Sequence, residues 1–231
     1  MLKTKEALVL SGGLGSRLRS VVNDRPKPMA DMNGQPFLVF LLDYLYCSGL
    51  ERVIICAGYK SAYIVENLNY DREGFSVEIQ EEKELLGTGG AIKSALSMLK
   101  GNDFFVLNGD SFCECDFKEL EATHLSRQSA ITLLVAKVKN TDGFGTVTLD
   151  DKGKLVGFQE KTGKSKSNLV NAGVYIFNKN VMSLFPASRR FSLEYDFFPK
   201  VLSHATGVIV DSALYDIGTP ESYRFASKNL R

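Results

Sequence analysis

Apolar runs and amphipathic segments alternate along the first half of the chain. Short continuous apolar runs, such as Arg52–Gly58, are typical of strands buried on both faces, whereas residues 36–49 carry their apolar side chains at helical spacing. The pattern predicts strands at Ala7–Leu10, Arg52–Gly58, Phe75–Gln80 and Asp103–Leu107, and helices at 36–49, Ser61–Leu68 and Thr88–Leu99. This alternation predicts an α/β fold with a mostly parallel central sheet, helices on both faces, and a ligand crevice at the carboxyl ends of the strands.

The second half of the chain has shorter apolar runs that are closer together, and it predicts a β-rich lobe that covers the crevice. Strands are expected at Ile131–Val138, Gly145–Leu149, Lys154–Glu160, Val174–Phe177, Gly207–Asp211 and Leu214–Ile217. One helix is expected at Phe197–Leu202, and a last helix begins at Thr219 and Pro220, which suit the N-cap and the first turn. A length of 231 residues is enough for one domain of this kind and short for two.

The near-zero net charge argues against partners that a protein attracts through a large overall charge. With 28 basic and 27 acidic side chains the net charge is +1, so we expect neither nucleic-acid binding nor attraction to an anionic membrane. The longest apolar run, Phe37–Leu42, ends at Asp43 and is far shorter than a membrane span. The sequence does not determine the oligomeric state, and a homo-oligomer stays open.

The four cysteines lie in or beside apolar runs and do not form a disulfide framework. Together with the lack of a signal peptide, this predicts a cytoplasmic protein whose cysteines serve in packing. The two histidines, His124 and His204, are far apart in sequence, so no histidine and cysteine metal site is indicated.

The loop after the first strand carries the clearest chemical signal. Ala7–Leu10 leads directly into Ser11-Gly12-Gly13-Leu14-Gly15-Ser16-Arg17, and Pro26-Lys27-Pro28 follows. Glycines allow successive amides to converge on an anion, and Arg17 and Lys27 add full positive charges, so the loop predicts a phosphate-binding site. It is neither a dinucleotide-binding G-x-G-x-x-G, because Leu18 occupies the third glycine position, nor a P-loop, because no Gly-Lys-Ser/Thr follows.

Two aspartates follow later apolar stretches in comparable positions. Asp110 comes just after the strand that ends near Leu107, and Asp216 lies in Tyr215-Asp216-Ile217-Gly218-Thr219. Each taken alone could be a turn or capping residue. Together, two carboxylates that converge on one crevice would hold Mg²⁺ with a triphosphate.

The segment G-G-L-G-S-R-L-R followed by P-K-P-M resembles the signature of the sugar-1-phosphate nucleotidyltransferases, with Ser16 where many members carry Thr. The resemblance extends from Leu8 to Tyr223. It implies a single Rossmann-like nucleotidyltransferase domain over residues 1–231, with a nucleotide-binding half at about 1–125 and a sugar-phosphate-binding half at about 126–231. Within the family, the combination of P-K-P-M-A, G-Q-P-F-L and L-G-T-G-G-A-I looks most like D-glycero-α-D-manno-heptose 1-phosphate guanylyltransferases. The implied product is a nucleotide sugar for surface polysaccharides such as capsule or lipopolysaccharide.

The resemblance also implies roles for individual residues. Arg17 is expected to contact the triphosphate and pyrophosphate, Lys27 the region of the α-phosphate, and Asp110 with Asp216 the Mg²⁺ cofactor. The remaining nucleotide-binding residues are expected to be Leu10, Gly12, Gly13, Gly15, Ser16, Glu82, Gly87, Thr88, Asn108 and Gly109. The sugar phosphate is expected to contact Gly145, Glu160, Lys161, Asn171 and Glu194. Thr162 stands where members usually carry Pro, which weakens the anchoring of that loop.

Several segments have alternative interpretations. The sugar-side residues Gly145, Glu160 and Asn171 could instead lie in ordinary turns or an exposed ion pair. Gly87-Thr88-Gly89-Gly90 begins a predicted helix, so its free N–H groups either receive an anion or a base edge, or the glycines only allow tight packing. Glu82 lies in a charged run that is either solvated or reads the base. A carboxylate can accept hydrogen bonds from N1–H and the N2 amine of guanine, which favours GTP.

Three functions follow from these alternatives. The first is guanylyl transfer from GTP to a sugar 1-phosphate, with pyrophosphate as the other product. The second is uridylyl or thymidylyl transfer to a hexose 1-phosphate. The third is a non-catalytic nucleotide-sugar sensor, which the presence of both cations and both aspartates disfavours.

Overall fold

The computed structural model describes residues 1–160 and 167–230. The strands in these residues are β1 Glu6–Ser11, β2 Asp31–Met32, β3 Gln35–Pro36, β4 Arg52–Ala57, β5 Ser76–Glu81, β6 Asp103–Asn108, β7 Ser111–Cys113, β8 Ile131–Lys137, β9 Thr146–Leu149, β10 Leu155–Gln159, β11 Leu169–Asn178, β12 Ala205–Val210 and β13 Leu214–Asp216. The α-helices are α1 Phe37–Cys47, α2 Ser61–Asn67, α3 Gly87–Ala95, α4 Phe117–Arg127 and α5 Pro220–Asn229. Lys161 lies outside the described residues.

One large mixed sheet organises the described chain. Its strands follow the order β10-β9-β11-β6-β1-β4-β5, and β8 joins β11 and β12 joins β8. β1, β4, β5 and β6 are parallel, as the alternation of strands and helices predicts. The second half of the chain joins the sheet in antiparallel orientation, because β11 pairs antiparallel with β8 along one edge and with β6 and β9 along the other. The α/β fold with a central sheet is therefore confirmed.

Helices cover both faces of the sheet, and the alternation of side chains along β1 shows why. Val9 packs with Leu41 of α1 in one buried cluster, which also includes residues of α2 and α4. Leu8 packs with Ile92 of α3 and Val106 of β6 in the cluster on the other face. Since successive side chains of a strand point to opposite faces, an almost wholly apolar β1 needs cover on both sides.

The chain after β11 differs most from the sequence-based prediction. The helix expected at Phe197–Leu202 is wrong. A π-helical turn at Leu193–Phe197 passes into a 3-10 turn at Phe198–Lys200, and a second 3-10 turn follows at Leu202–His204. Phe198 keeps helical dihedral angles (φ −52°, ψ −44°), but Pro199 has no N–H to donate to a preceding carbonyl, so the hydrogen bonds of a regular helix are interrupted at this position.

Three of the four cysteines pack in the interior as expected, and Cys47 does not. All four are free thiols, and Cys56, Cys113 and Cys115 are buried while Cys47 is exposed. None of the helices in residues 1–160 and 167–230 combines the length and the apolar character needed to cross a membrane. The division of the chain into halves near residue 125 stays a prediction.

Candidate active site

The site lies where the parallel strands β1 and β6 end. Leu10 pairs with Asn108 in parallel register, and the N–H of Gly109 donates to the carbonyl oxygen of Leu10 at 2.9 Å. A Cβ on Gly109 would lie 2.7 Å from that oxygen, so only glycine allows the two strand ends to approach this closely. The loops that follow both strands therefore leave the sheet side by side and form the walls of a cleft of about 450 Å³.

Most of the residues singled out from the sequence line this one cleft. They are Leu10, Gly12, Gly13, Arg17, Lys27, Glu82, Gly87, Thr88, Asn108, Asp110, Gly145, Glu160, Asn171, Glu194 and Asp216. Gly15, Ser16 and Gly109 belong to the same loops but do not line the cleft. Lys161 cannot be placed, because it lies outside the described residues. The structure thus brings both cations and both aspartates to one surface, while the role of each residue stays a prediction.

The glycine loop presents Arg17 at the cleft without a bound partner. Gly15 has φ of 61°, a left-handed conformation that favours glycine, and the 3-10 turn Ser16–Leu18 follows it. Leu18 anchors this turn with a side chain that is only 1% exposed. Among the described residues Arg17 forms no salt bridge, so its charge is available to a ligand.

Lys27 is the second cation, and it is held close to Asp110. Its Nζ lies 2.7 Å from Asp110 Oδ2, and its side chain is only 12% exposed. Lys27 begins a 3-10 turn, Lys27–Met29, whose Pro28 and Met29 are buried. The positive charge is therefore fixed in the cleft wall before any ligand arrives.

The second aspartate is joined to the first through a two-stranded ribbon. Asp216 ends β13 opposite Ser111 of β7, and the N–H of Ile217 donates to the backbone oxygen of Asp110 at 3.0 Å. Asp216 Oδ2 accepts from the N–H of Gly218 at 2.8 Å and from the Ser222 hydroxyl at 3.1 Å. Asp216 Oδ1 has no hydrogen-bond partner within the described residues.

The two carboxylates suit a hard divalent cation but do not form a complete cage. Within residues 1–160 and 167–230 no group of three or more His, Cys, Asp or Glu side chains could hold a metal ion. Mg²⁺ is usually bound by one or two carboxylates, with waters and substrate phosphates as its other ligands. Asp110 and Asp216 fit that arrangement.

Glu82 lines the cleft next to the glycine loop. Its Oε2 accepts from the N–H of Leu86 at 3.1 Å, while its Oε1 is buried without a partner in the described structure. A Cβ on Gly12 would lie 2.9 Å from Oε1, so the carboxylate packs directly against the loop. Burial raises the pKa of Glu82 above its usual value. An unsatisfied buried acceptor of this kind favours a ligand that brings a hydrogen-bond donor.

At the start of α3, the N–H groups of Gly89 and Gly90 are already used within the protein. The N–H groups of Gly89 and Gly90 donate to the Phe191 carbonyl oxygen at 3.1 and 3.2 Å. A Cβ on Gly89 would lie 2.1 Å from the Phe191 ring, and one on Gly90 would lie 2.5 Å from the Arg189 oxygen. Of the two interpretations of this segment, the geometry of Gly89 and Gly90 matches tight packing. Gly87 and Thr88 still line the cleft.

Residues from three separate segments meet at another part of the cleft lining. A Cβ on Gly145 would lie 2.6 Å from Glu160 Oε2, so glycine allows the carboxylate to approach the backbone. The N–H of Asn171 donates to Gly145 O at 2.9 Å, and its side-chain amide donates to Tyr175 Oη at 2.7 Å. Polar groups that converge in this way can contact the hydroxyls of a sugar.

Arg190 and Tyr195 are among the cleft residues that the sequence-based prediction of the site did not include. Arg190 has no salt bridge among the described residues, whereas its neighbour Arg189 pairs with Glu84 at 3.1 Å. Tyr195 is 66% exposed, in the π-helical turn. No spacing in the sequence distinguishes Arg190 from Arg189, because the fold alone decides which of the two faces the cleft.

Comparisons with known proteins show the family of this chain. The model of the nucleotidyl transferase family matches residues 6–231. D-glycero-α-D-manno-heptose 1-phosphate guanylyltransferase from Aneurinibacillus thermoaerophilus is 38% identical over 228 residues, which cover 98% of this chain and 98% of that protein. The enzyme of the same name from Campylobacter jejuni is 38% identical over 221 residues, covering 94% and 96%. Mannose-1-phosphate guanylyltransferase from Mycobacterium tuberculosis is 35% identical over 97% of this chain and 64% of its own length.

Two solved structures are similar to this chain over nearly its whole length. The crystal structure of HddC from Yersinia pseudotuberculosis matches with a TM-score of 0.87 and 35% identity, covering 99% of this chain and 100% of that one. The same protein complexed with GMP-PN also matches with a TM-score of 0.87, at 34% identity. Since the family model covers nearly the whole chain and relatives exceed 30% identity over nearly all of it, this protein belongs to the nucleotidyl transferase family.

Proposed function

We propose that this protein is a sugar-1-phosphate guanylyltransferase that transfers GMP from GTP to D-glycero-α-D-manno-heptose 1-phosphate. The observation that carries the proposal is that Arg17, Lys27, Asp110 and Asp216 all line one cleft. Two relatives that match nearly the whole chain bear the name of this activity. The structural neighbour complexed with GMP-PN supports a guanine nucleotide as one substrate.

The reaction is a direct displacement and needs no nucleophile from the protein. A phosphate oxygen of the sugar 1-phosphate attacks the α-phosphorus of GTP. The new P–O bond forms as the bond to the bridging oxygen of the β-phosphate breaks, and pyrophosphate leaves with that electron pair. The protein therefore has to align two anions that repel each other and to neutralise the charge that develops.

The cations of the cleft perform this task. Arg17 has no salt bridge within the described residues and takes the triphosphate and the leaving pyrophosphate. Lys27 lies within the cleft wall, 2.7 Å from Asp110, and takes the region of the α-phosphate. Because Lys27 is already fixed there, its charge acts on the transition state without a large reorganisation.

Asp110 and Asp216 would hold Mg²⁺. When bound, the ion would supply further neutralisation of the triphosphate charge. The free Oδ1 of Asp216 and the partly exposed carboxylate of Asp110 are the donors for this role. The other ligands would be waters and phosphate oxygens.

Base and sugar recognition use different residues of the cleft. Glu82 reads guanine, since its buried Oε1 needs a donor and guanine offers N1–H and the N2 amine. Gly145, Glu160, Asn171 and Glu194 contact the sugar hydroxyls. Lys161 belongs to the same proposal as the cation for the sugar phosphate.

A matrix of sugar 1-phosphates against the four nucleoside triphosphates tests the proposal. Pyrophosphate release is measured with Mg²⁺ present and with Mg²⁺ chelated. We expect the highest kcat/KM for GTP with D-glycero-α-D-manno-heptose 1-phosphate, and loss of turnover on chelation. A preference for UTP or dTTP with a hexose 1-phosphate would replace this function by uridylyl or thymidylyl transfer. Binding of GTP without turnover on any sugar phosphate would indicate a sensor.

A further inference from the structure

The hydroxyl of Thr88 forms two hydrogen bonds within the protein, and both go to the segment that contains Leu193 and Glu194. Thr88 Oγ1 accepts from the N–H of Leu193 at 2.8 Å and donates its proton to Glu194 Oε2 at 2.7 Å. A hydroxyl has one proton to donate. The side chain of Thr88 therefore has no donor left for a nucleotide, although the residue lies in the segment that resembles a base-binding motif.

Glu194 receives a second hydrogen bond on the same oxygen. The Ser192 hydroxyl donates to Oε2 at 2.7 Å, and it accepts in turn from the N–H groups of Glu194 and Tyr195 at 3.1 and 3.3 Å. Glu194 Oε1 has no hydrogen-bond partner in residues 1–160 and 167–230, and the residue lines the cleft. Two hydroxyls thus fix the rotation of the carboxylate and leave one oxygen open to a ligand.

We propose that Thr88 is a positioning residue for the sugar 1-phosphate and acts through Glu194, and that its side chain does not bind the nucleotide. The proposal rests on the proposed function. Hydrogen bonds to a carboxylate are stronger than those between neutral groups, so Thr88 contributes to holding Glu194 Oε1 toward the sugar hydroxyls. Without the Thr88 hydroxyl the carboxylate can rotate, and the sugar loses an acceptor in a fixed position.

The test compares Thr88→Val, which keeps the shape and removes the hydroxyl, with Thr88→Ser, which keeps the hydroxyl. For Thr88→Val we expect the KM for D-glycero-α-D-manno-heptose 1-phosphate to rise about tenfold, while the KM for GTP stays within about twofold. Thr88→Ser should restore the sugar KM to within about threefold of the wild type. Ser94→Ala is the matched control, because Ser94 lies on the same helix and its hydroxyl only donates to Ala91 O at 2.9 Å. It should leave both KM values unchanged.

A rise in the KM for GTP with an unchanged sugar KM would overturn the inference, and so would a Thr88→Ser variant as impaired as Thr88→Val. If Thr88→Val does not fold, Ser192→Ala removes the other donor on Glu194 Oε2 and must show the same selective rise in the sugar KM. Calorimetric binding of the sugar 1-phosphate separates this inference from the proposed function. Weaker binding to Thr88→Val than to the wild type supports the role of Thr88 even if no turnover is found, and equal binding refutes it.

Discussion

The charge of Lys27 gives the most direct prediction for a single residue. Replacing Lys27 by Met keeps most of its length and removes the ammonium that lies 2.7 Å from Asp110. We expect kcat/KM for pyrophosphate release to fall about 100-fold or more, as is typical for the loss of one preorganised charge or donor at a transition state. Lys5→Met is the control. Lys5 precedes β1 and forms an ion pair with the exposed Glu51, so this variant should keep its activity. Near-normal turnover of Lys27→Met would contradict the assigned role.

Glu82 gives a prediction about base preference. In Glu82→Gln the acceptor for N1–H and the N2 amine of guanine is partly replaced by a donor, so the ratio of kcat/KM for GTP over UTP should fall about tenfold or more. Glu81→Gln is the matched control, because Glu81 is exposed and accepts from the Ser61 hydroxyl at 2.9 Å. Its ratio should stay within about twofold of the wild type. An unchanged ratio in Glu82→Gln would show that another group reads the base.

A site residue could be predicted from the sequence where a few neighbouring residues are enough to identify its position. Gly12, Arg17, Lys27 and Asp110 could be predicted as members of a site because each follows a strand or turn that is evident from a few neighbouring residues. Arg190 could not, since its neighbour Arg189 is chemically identical and the choice between them depends on how the chain packs on α3. The hydrogen bonds of the Thr88 hydroxyl could not be predicted either, because their partners, Leu193 and Glu194, are more than 100 positions away in the sequence.

At the scale of an element, α3 begins with glycines because it packs closely against the segment around Phe191. A methyl group at Gly89 would lie 2.1 Å from the Phe191 ring, which is itself buried. Gly89→Ala should therefore lower the free energy of unfolding by about 1–3 kcal/mol, despite the better helix propensity of alanine. Urea denaturation measures this loss.

Two further variants test the cause of that loss. In Gly89→Ala/Phe191→Leu the smaller side chain leaves space for the methyl group, so the double variant should lose less stability than the sum of the two single variants. Gly13→Ala is the control for stability alone, because nothing lies within 4 Å of a Cβ at Gly13. Strictly additive losses in the double variant would exclude the overlap with Phe191 as the cause.

The elements could be predicted where the hydrophobic period is clear. The parallel strands β1, β4 and β6 lie where continuous apolar runs place them. The helix α4 was not predicted, although its signal is present: Phe117, Leu120 and His124 share one buried face, and Asp116 caps the first turn through the N–H groups of Lys118 and Glu119. The π-helical turn at Leu193–Phe197 could not be predicted, because its conformation depends on Ser192 and on packing against α3.

At the scale of the whole molecule, one buried histidine should make stability depend on pH near neutrality. His124 is only 2% exposed, its Nδ1 lies 3.0 Å from Thr132 Oγ1, and its Nε2 lies 3.5 Å from Asp103 Oδ1. Burial lowers the pKa of His124 below the ordinary value of 6.5, and nearby Asp103 opposes this shift only in part. In the folded protein the ring therefore stays neutral at a pH where it is already protonated in the unfolded chain.

The sign of the effect follows from proton uptake. Above about pH 6.5 both states hold a neutral ring and the contribution of His124 to stability is complete. As the pH falls from 6.5 through the lower pKa of the folded protein, the unfolded chain binds the extra proton, and the free energy of unfolding decreases by up to about 1.4 kcal/mol per pH unit. Glu6 and Glu78, whose pKa values are lowered by hydrogen bonds and by Arg52, lose their contributions only in more acidic solution.

Urea unfolding of the wild type and of His124→Gln at about pH 7.5, 6.5 and 5.5 measures this contribution. We expect the wild type to be more stable than the variant at the highest pH, and the difference to shrink as the pH falls, because only the wild type carries the titrating ring at this position. A difference that stays constant over the whole range would mean that the ring at position 124 is protonated equally in both states, and that its contacts with Thr132 and Asp103 compensate for burial.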